Sequence, residues 1–300
     1  MNEAKTGIEA PASLPTRVVK AVRNFFAEQT TEVPLTQAET RQRKMESDLL
    51  FLKNTYNLDV DMGYLSENDK RYVNFCMPPR DYERPDIVRA LTEAVTKYPP
   101  EYVEYTKVKT VRLVRDLKAS GVFGENASIL GASTGTGLMY VNVAAGIPIA
   151  KQAFHHEMFH EGDAVFGSGI FGSAKTILFN CSWLGLNPNG YKDYMDPEQY
   201  GKLNEFGTYF LQRAGFVSGD AAINEKEDRA VTAEGVMTNT MGVKRLADQD
   251  PVFFKKMRRI LKLFKQRSNG RMDLNYFNDL IAGRVGEDYW FKDKTPIKAA

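Results

Sequence analysis

Histidine is scarce in this chain, with three in 300 residues. All three fall inside "AFHHEMFHEGD", residues 153–163, as His155, His156 and His160. Glu157 follows His156, so residues 156–160 read H-E-x-x-H. On a helix, residues four apart share a face. His156 and His160 then point the same way, and their rings can share one Zn2+ at about 2.0–2.1 Å. Glu157 stands beside that line, within reach of a water on the metal's open position. Zinc lowers the pKa of such a water toward neutrality, and a carboxylate completes the activation as general base. The hydroxide so formed attacks a peptide carbonyl polarised by the same ion. The competing reading is two hydrogen-bonded core histidines with a glutamate between them by chance. His155 sits about 100° around the helix from His156 and cannot join the pair; its expected place is behind a ligand or at the rim.

A catalytic zinc takes three protein ligands and leaves one position for water. No histidine remains, so the third is expected to be a carboxylate, with Cys181 the weaker option. Downstream, "NEKEDRAVTAEGVM" offers Glu225, Glu227, Asp228 and Glu234 on an expected helix. Glu234 lies two turns, roughly 10 Å, beyond Glu227, so the two cannot both bind one ion directly. Glu234 is then a group acting through a ligand, a surface charge, or the ligand itself if the register differs. Charge runs of this kind ordinarily form solvated faces.

Three blocks, "HHEMFHEGD", "WLGLNPNGY" at 183–191 and "FVSGDAAINEKEDRAVTAE" at 216–234, give the chain a family likeness. It resembles a family of zinc-binding metallopeptidases that are similar to gluzincins, whose third zinc ligand is a glutamate on a later helix. The family's last block reads F-V-S-x-Y-A-x-x-N-x-x-E-D-x-A-E; Phe216, Val217, Ser218, Ala221, Asn224, Glu227, Asp228 and Ala230 match it. The resemblance implies Glu227 as the third ligand. It runs over roughly residues 85–240, including "KYPP" and "VKTVRLVRDL" upstream. Two departures stand out: Gly219-Asp220 replace the tyrosine after "FVS", and Val231 replaces a glutamate. Such a carboxylate orients a ligand from behind, and losing one can cost 10–100-fold in affinity or activity.

These residues need a helix under a sheet and a second helix facing it. The spacing predicts helices over 16–27, 37–56, 85–97, 148–165, 224–239, 251–267 and 273–283. Asn224 is placed to cap the fifth, and Pro85 to open the third. Ile147, Phe154, Met158 and Val165 form the core-facing side of the histidine helix. "VKTVRLVRDLK" and residues 137–144 predict strands. "GASTGTG" reads as a turn, since it lacks the Lys-Ser/Thr of a phosphate-binding loop. Residues 167–215 read as a long irregular connection with one helix near 198–213, and 1–15 as disordered. Substrate is expected to add to a sheet edge beside the zinc, with "TGLMYVNVA" as the candidate strand. Tyr191, Tyr194 and Tyr209 are candidate oxyanion donors, though each is more simply structural. Trp183 is expected to pack its loop.

Composition sets the outer bounds. The apolar fraction is 43% and the charged fraction 26%, ordinary for a globular protein. A net charge of +2 argues against a nucleic-acid partner. Cys76 and Cys181 fit no metal or redox spacing and read as thiols or one disulfide. The first residues lack the apolar core of a signal peptide, and the longest apolar run is too short to span a bilayer. The expectation is a soluble chain, cytoplasmic or secreted without a visible leader, of unknown oligomeric state. The fold expected is α+β: a small mixed sheet, the active-site helix beneath it and a glutamate helix opposite. Residues 1–60 form an N-terminal helical, partly disordered segment, and 61–300 a zincin-like peptidase domain with C-terminal helices. The function expected is a zinc-dependent endopeptidase acting on protein or peptide, with His156, His160 and Glu227 as ligands. The alternative is a zinc-binding or interaction protein that keeps the fold without catalysis.

Overall fold

A computed structural model describes residues 35–65, 73–119, 128–168, 172–188, 194 and 215–291. The chain divides into two units, Met1–Arg43 and Lys44–Ala300. The expected helices at 16–27 and 198–213, and the expected disorder of 1–15, lie outside the described residues. Within the first unit, Thr36 and Glu39 form a reciprocal cap. Thr36 N donates to Glu39 Oε2 at 2.8 Å and Glu39 N donates to Thr36 Oγ1 at 3.2 Å. That cap opens helix α1, Gln37–Tyr56.

The second unit is built on a five-stranded mixed sheet. Its strands are β1 (Asp59–Asp61), β2 (Val73–Met77), β3 (Thr110–Ala119), β4 (Gly131–Ser133) and β5 (Leu138–Asn142). β3 runs parallel to β1 and β5, while β2 pairs antiparallel with β3 and β4 antiparallel with β5. β3 serves two sets of partners. Its first half, Thr110–Val114, pairs with β5, and its second half, Arg115–Ala119, with β2. Asp116 stands at the changeover with φ 53°, a left-handed geometry that Asp tolerates better than bulkier residues. Val111, Leu113, Val114 and Leu117 are buried along β3, which gives the strand its two-sided core character.

Helices pack around the sheet. α2 (Arg84–Val95) and α3 (Pro100–Thr106) precede β3, and α4 (Ile147–Phe166) follows β5. α5 (Gly172–Leu184), α6 (Glu225–Thr238), α7 (Thr240–Gln249), α8 (Pro251–Arg267) and α9 (Leu274–Ile281) complete the unit. Gly146, at φ 94°, turns the chain into α4, and Pro148 sits in its first turn. Phe154 and Met158 are 1% and 0% exposed in the main core, while Ile147 is 37% exposed. Each fully buried side chain of that size stabilises by about 1.5–3 kcal/mol. Those two anchors fix the rotation of α4 and so aim its other face.

Several expectations change here. "GASTGTG" is half strand, because Gly131–Ser133 pair with Ser133↔Met139 and Gly131↔Val141. β5 does not offer a free edge: it lies between β3 and β4, and β4 is the outer strand. Residues 172–184 are helical rather than irregular. Pro100 opens a further helix that the spacing did not predict. Cys76 is a buried free thiol and Cys181 an exposed one. No helix among the described residues is long and apolar enough to cross a membrane.

Candidate metal centre

His156 and His160 leave α4 on the face away from Phe154 and Met158. Helix α6 crosses that face. Its start is set by Asn224, whose side chain accepts from Lys226 N at 2.9 Å and Glu227 N at 3.0 Å. A cap of this kind is worth about 1 kcal/mol and pins the register of the first turn. Glu227 sits in that turn and reaches both histidines. His156 Nε2 is 3.0 Å from Glu227 Oε2, His160 Nε2 is 3.4 Å from Glu227 Oε1, and the two Nε2 atoms are 3.0 Å apart. Among the described residues this is the one group of His, Cys, Asp and Glu whose ligand atoms all lie within 4.8 Å.

Donors bound tetrahedrally at about 2.0–2.1 Å from a zinc ion would stand about 3.3 Å from one another. The observed separations, measured to one or the other oxygen of Glu227, lie close to that value. The donor set, two imidazoles and one carboxylate from facing helices, therefore fits a zinc ion with one position left open.

The electrostatics follow from the same contacts. Burial works against charge on His156, but hydrogen bonds to the carboxylates of Glu227 and Glu234 raise it to about 10. Burial likewise opposes ionisation of Glu227, yet His156 and His160 hold its carboxyl well below the usual range. Glu157, 8% exposed, is pushed upward by burial. Its side chain lies against β4. A Cβ built on Gly131 would stand 2.6 Å from Glu157 Cγ and 2.8 Å from Oε1. Only glycine leaves room there for this carboxylate.

The other candidates are distributed as follows. Glu234 is 3.3 Å from His156, but through Oε2 to Nδ1, on the side of the ring away from Glu227. Asp228 points away from the histidines. Its Oδ2 accepts from Trp183 Nε1 and Tyr194 OH at 2.9 Å each and pairs with Lys256 Nζ at 2.8 Å. Tyr194 is thereby tied to Asp228, and Trp183 anchors α5 to α6; Tyr191 and Tyr209 lie outside the described residues. Cys181 is not part of the cluster, and Glu225 accepts from Asn180 Nδ2 at 2.9 Å. Val231 is buried with Phe216, Ala221 and Ala222. Asp220 opens the 3-10 turn Asp220–Ala222, with Gly219 at its cap. His155 is not at the rim: it is 1% exposed, and its Nδ1 lies 2.8 Å from Tyr98 OH. Tyr98 had no local signal in the sequence, being 57 residues away. "NEKEDRA" is likewise not a solvated face, because Asp228 and Arg229 are 0% and 2% exposed. Arg229 Nε donates to Asp163 on α4 at 2.8 Å, and Arg267 binds the same carboxylate from α8.

No family model matches the chain, and no curated protein does. Among solved structures, the fold is similar to that of a protein from Bacteroides caccae named "putative zinc-binding metallo-peptidase". The likeness covers 83% of this chain and 94% of that one, at 14% sequence identity and a TM-score of 0.51. At that identity the two share an architecture: a small mixed sheet with helices packed on it.

Proposed function

We propose that the chain is a zinc-dependent endopeptidase, with His156, His160 and Glu227 as the metal ligands and Glu157 as general base. One observation carries this reading: the two histidines of H-E-x-x-H meet a carboxylate from a distant helix at separations suited to one zinc ion. The likeness in fold to a protein named as a zinc-binding metallo-peptidase supports it. The zincin-like assignment, and a peptidase domain spanning residues 61–300, belong to the same proposal.

Bound zinc supplies Lewis acidity, bringing a water toward neutral pKa and polarising the scissile carbonyl. The protein's own groups do the rest. The Glu157 carboxylate would accept the water's proton and later return it to the leaving amine. Burial keeps that carboxyl more basic than an exposed one, which suits proton transfer near neutrality. A peptide strand would lie along β4. Asn142 N donates to Leu130 O and Thr134 N to Leu138 O, so the backbone groups of Gly131 and Ser133 face away from β5. Glu157 lies against the face of that strand at Gly131.

The test combines metal content with cleavage of a mixed peptide library. Wild type should hold one zinc per chain and cleave internal bonds. Glu157→Ala should keep the zinc and lose about 10²–10⁴-fold in kcat, the usual share of a general base. Zinc present but no cleavage in wild type would favour the non-catalytic alternative. Zinc absent from protein purified without chelator would sink the proposal, and full zinc occupancy in Glu227→Gln would remove Glu227 from the ligand set.

A further inference from the structure

We propose that Glu234 is a positioning residue for the metal centre, holding His156 in the tautomer and ring orientation that present Nε2 to the ion. This deepens the zinc reading and rests on it. The observation is a ring gripped from both sides by one helix. Glu227 Oε2 faces Nε2 of His156 at 3.0 Å, while Glu234 Oε2 faces Nδ1 at 3.3 Å. Seven residues separate the two acids on α6, so both project toward α4, two turns apart. That span is too long for both to reach one ion directly. The imidazole closes it, because its two nitrogens lie on opposite sides of the ring.

A neutral imidazole has one N–H and one lone pair. With the proton on Nδ1 and donated to Glu234, the lone pair must lie on Nε2, where His160 Nε2 and Glu227 converge. A carboxylate behind a ligating histidine also makes the ring a more basic donor. The helix offers this group from position 234 rather than from position 231, one turn after Glu227. Val231 is 6% exposed and packed with Phe216, Ala221 and Ala222. The side chain of Glu234 is 23% exposed, so its removal leaves no large cavity.

The experiment is a zinc titration of the full chain against a chromophoric chelator, for wild type, Glu234→Ala and Glu234→Gln. It is accompanied by 15N spectra of the histidine rings in the zinc-loaded proteins. Glu234→Ala should bind zinc 10–100-fold more weakly than wild type. Glu234→Gln retains an accepting oxygen and should recover part of that loss. The ring spectra should show His156 protonated at Nδ1 in wild type and lose that exchange-protected proton in Glu234→Ala. A purely structural role would not move the tautomer signal. If wild type binds zinc and Glu234→Ala binds it equally well with the same His156 spectrum, this inference is overturned and the zinc site stands. If wild type binds no zinc, both fall together.

Discussion

Glu227 and Asp228 are adjacent in the chain and opposite in circumstance. Glu227 looks into the groove between α4 and α6, where its partners are imidazole nitrogens that can exchange a proton for a metal ion. Asp228 looks into the core and finds Lys256, Trp183 and Tyr194, donors that have nothing to exchange. The pKa directions follow. Burial raises Asp228 in spite of the Lys256 ammonium, whereas hydrogen bonds from the two histidines overcome burial and lower Glu227. One carboxylate is a fastening and its neighbour is the proposed metal ligand. The fastening makes the site possible, because it fixes the rotation of α6 about its axis. The Asp163–Arg229–Arg267 network does the same from the side of α4.

The largest expected effect comes from breaking the fastening. Lys256→Met leaves Asp228 buried without its counter-ion and should cost about 3–5 kcal/mol of stability. Thermal unfolding of the metal-free protein measures it. Lys256→Met combined with Asp228→Asn should recover much of the loss, since no uncompensated charge remains. Glu227→Gln, one residue away, should cost less metal-free stability, because Glu234 still faces His156 and no charge is stranded in the core. Equal losses from Lys256→Met and Glu227→Gln would erase the distinction between the two carboxylates.

A smaller effect tests how closely the site is fitted. Gly131→Ala places a methyl 2.6 Å from Glu157 Cγ, so the strand or the Glu157 side chain must give way. Misplacing a catalytic group by about 1 Å can cost on the order of 10²-fold. The expected outcome is a 10–100-fold fall in kcat with zinc content unaltered. Unchanged kcat would mean that Glu157 has slack, and that the comparison between a fitted core and an adaptable site holds at the base as well.

The candidate site was more legible than its foundations. H-E-x-x-H places two rings on one helix face by geometry alone, and Asn224 announces the start of α6, so both halves of the centre can be read locally. Glu227 as the third member came from family resemblance; spacing alone left Glu225, Asp228 and Glu234 in contention. The partner of His155 is Tyr98, and the partner of Asp228 is Lys256 on α8; neither contact has a signature within a window of a dozen residues. "NEKEDRA" looks like a solvated stretch for that reason, and nothing in it tells that Asp228 and Arg229 turn inward. β1 and β4 have three residues each, too few for an alternation to register. β5 reads correctly as a strand, but its place between β3 and β4 is a matter of long-range pairing.

The pH dependence is the most diagnostic of the difference between the neighbouring carboxylates. In the metal-free protein His156 titrates at about 10. Its folded value lies above the unfolded value of about 6.5. The stabilisation from its proton is therefore fully present below about 6.5 and is lost as pH rises toward 10. Zinc needs the same nitrogen without the proton, so binding must expel it. Between pH 6.5 and 8.5 the two slopes then oppose each other. Metal-free stability should fall with pH, while zinc affinity should rise by up to about tenfold per unit, or about 1.4 kcal/mol. Calorimetry at pH 7.5 in two buffers of different ionisation enthalpy counts the proton directly, with about one released per ion expected from His156. A heat of binding independent of the buffer would mean that His156 is already neutral. In that case the carboxylates flanking it would not hold a proton in place of the metal, and Glu227 would differ from Asp228 in its surroundings but not in what it can exchange.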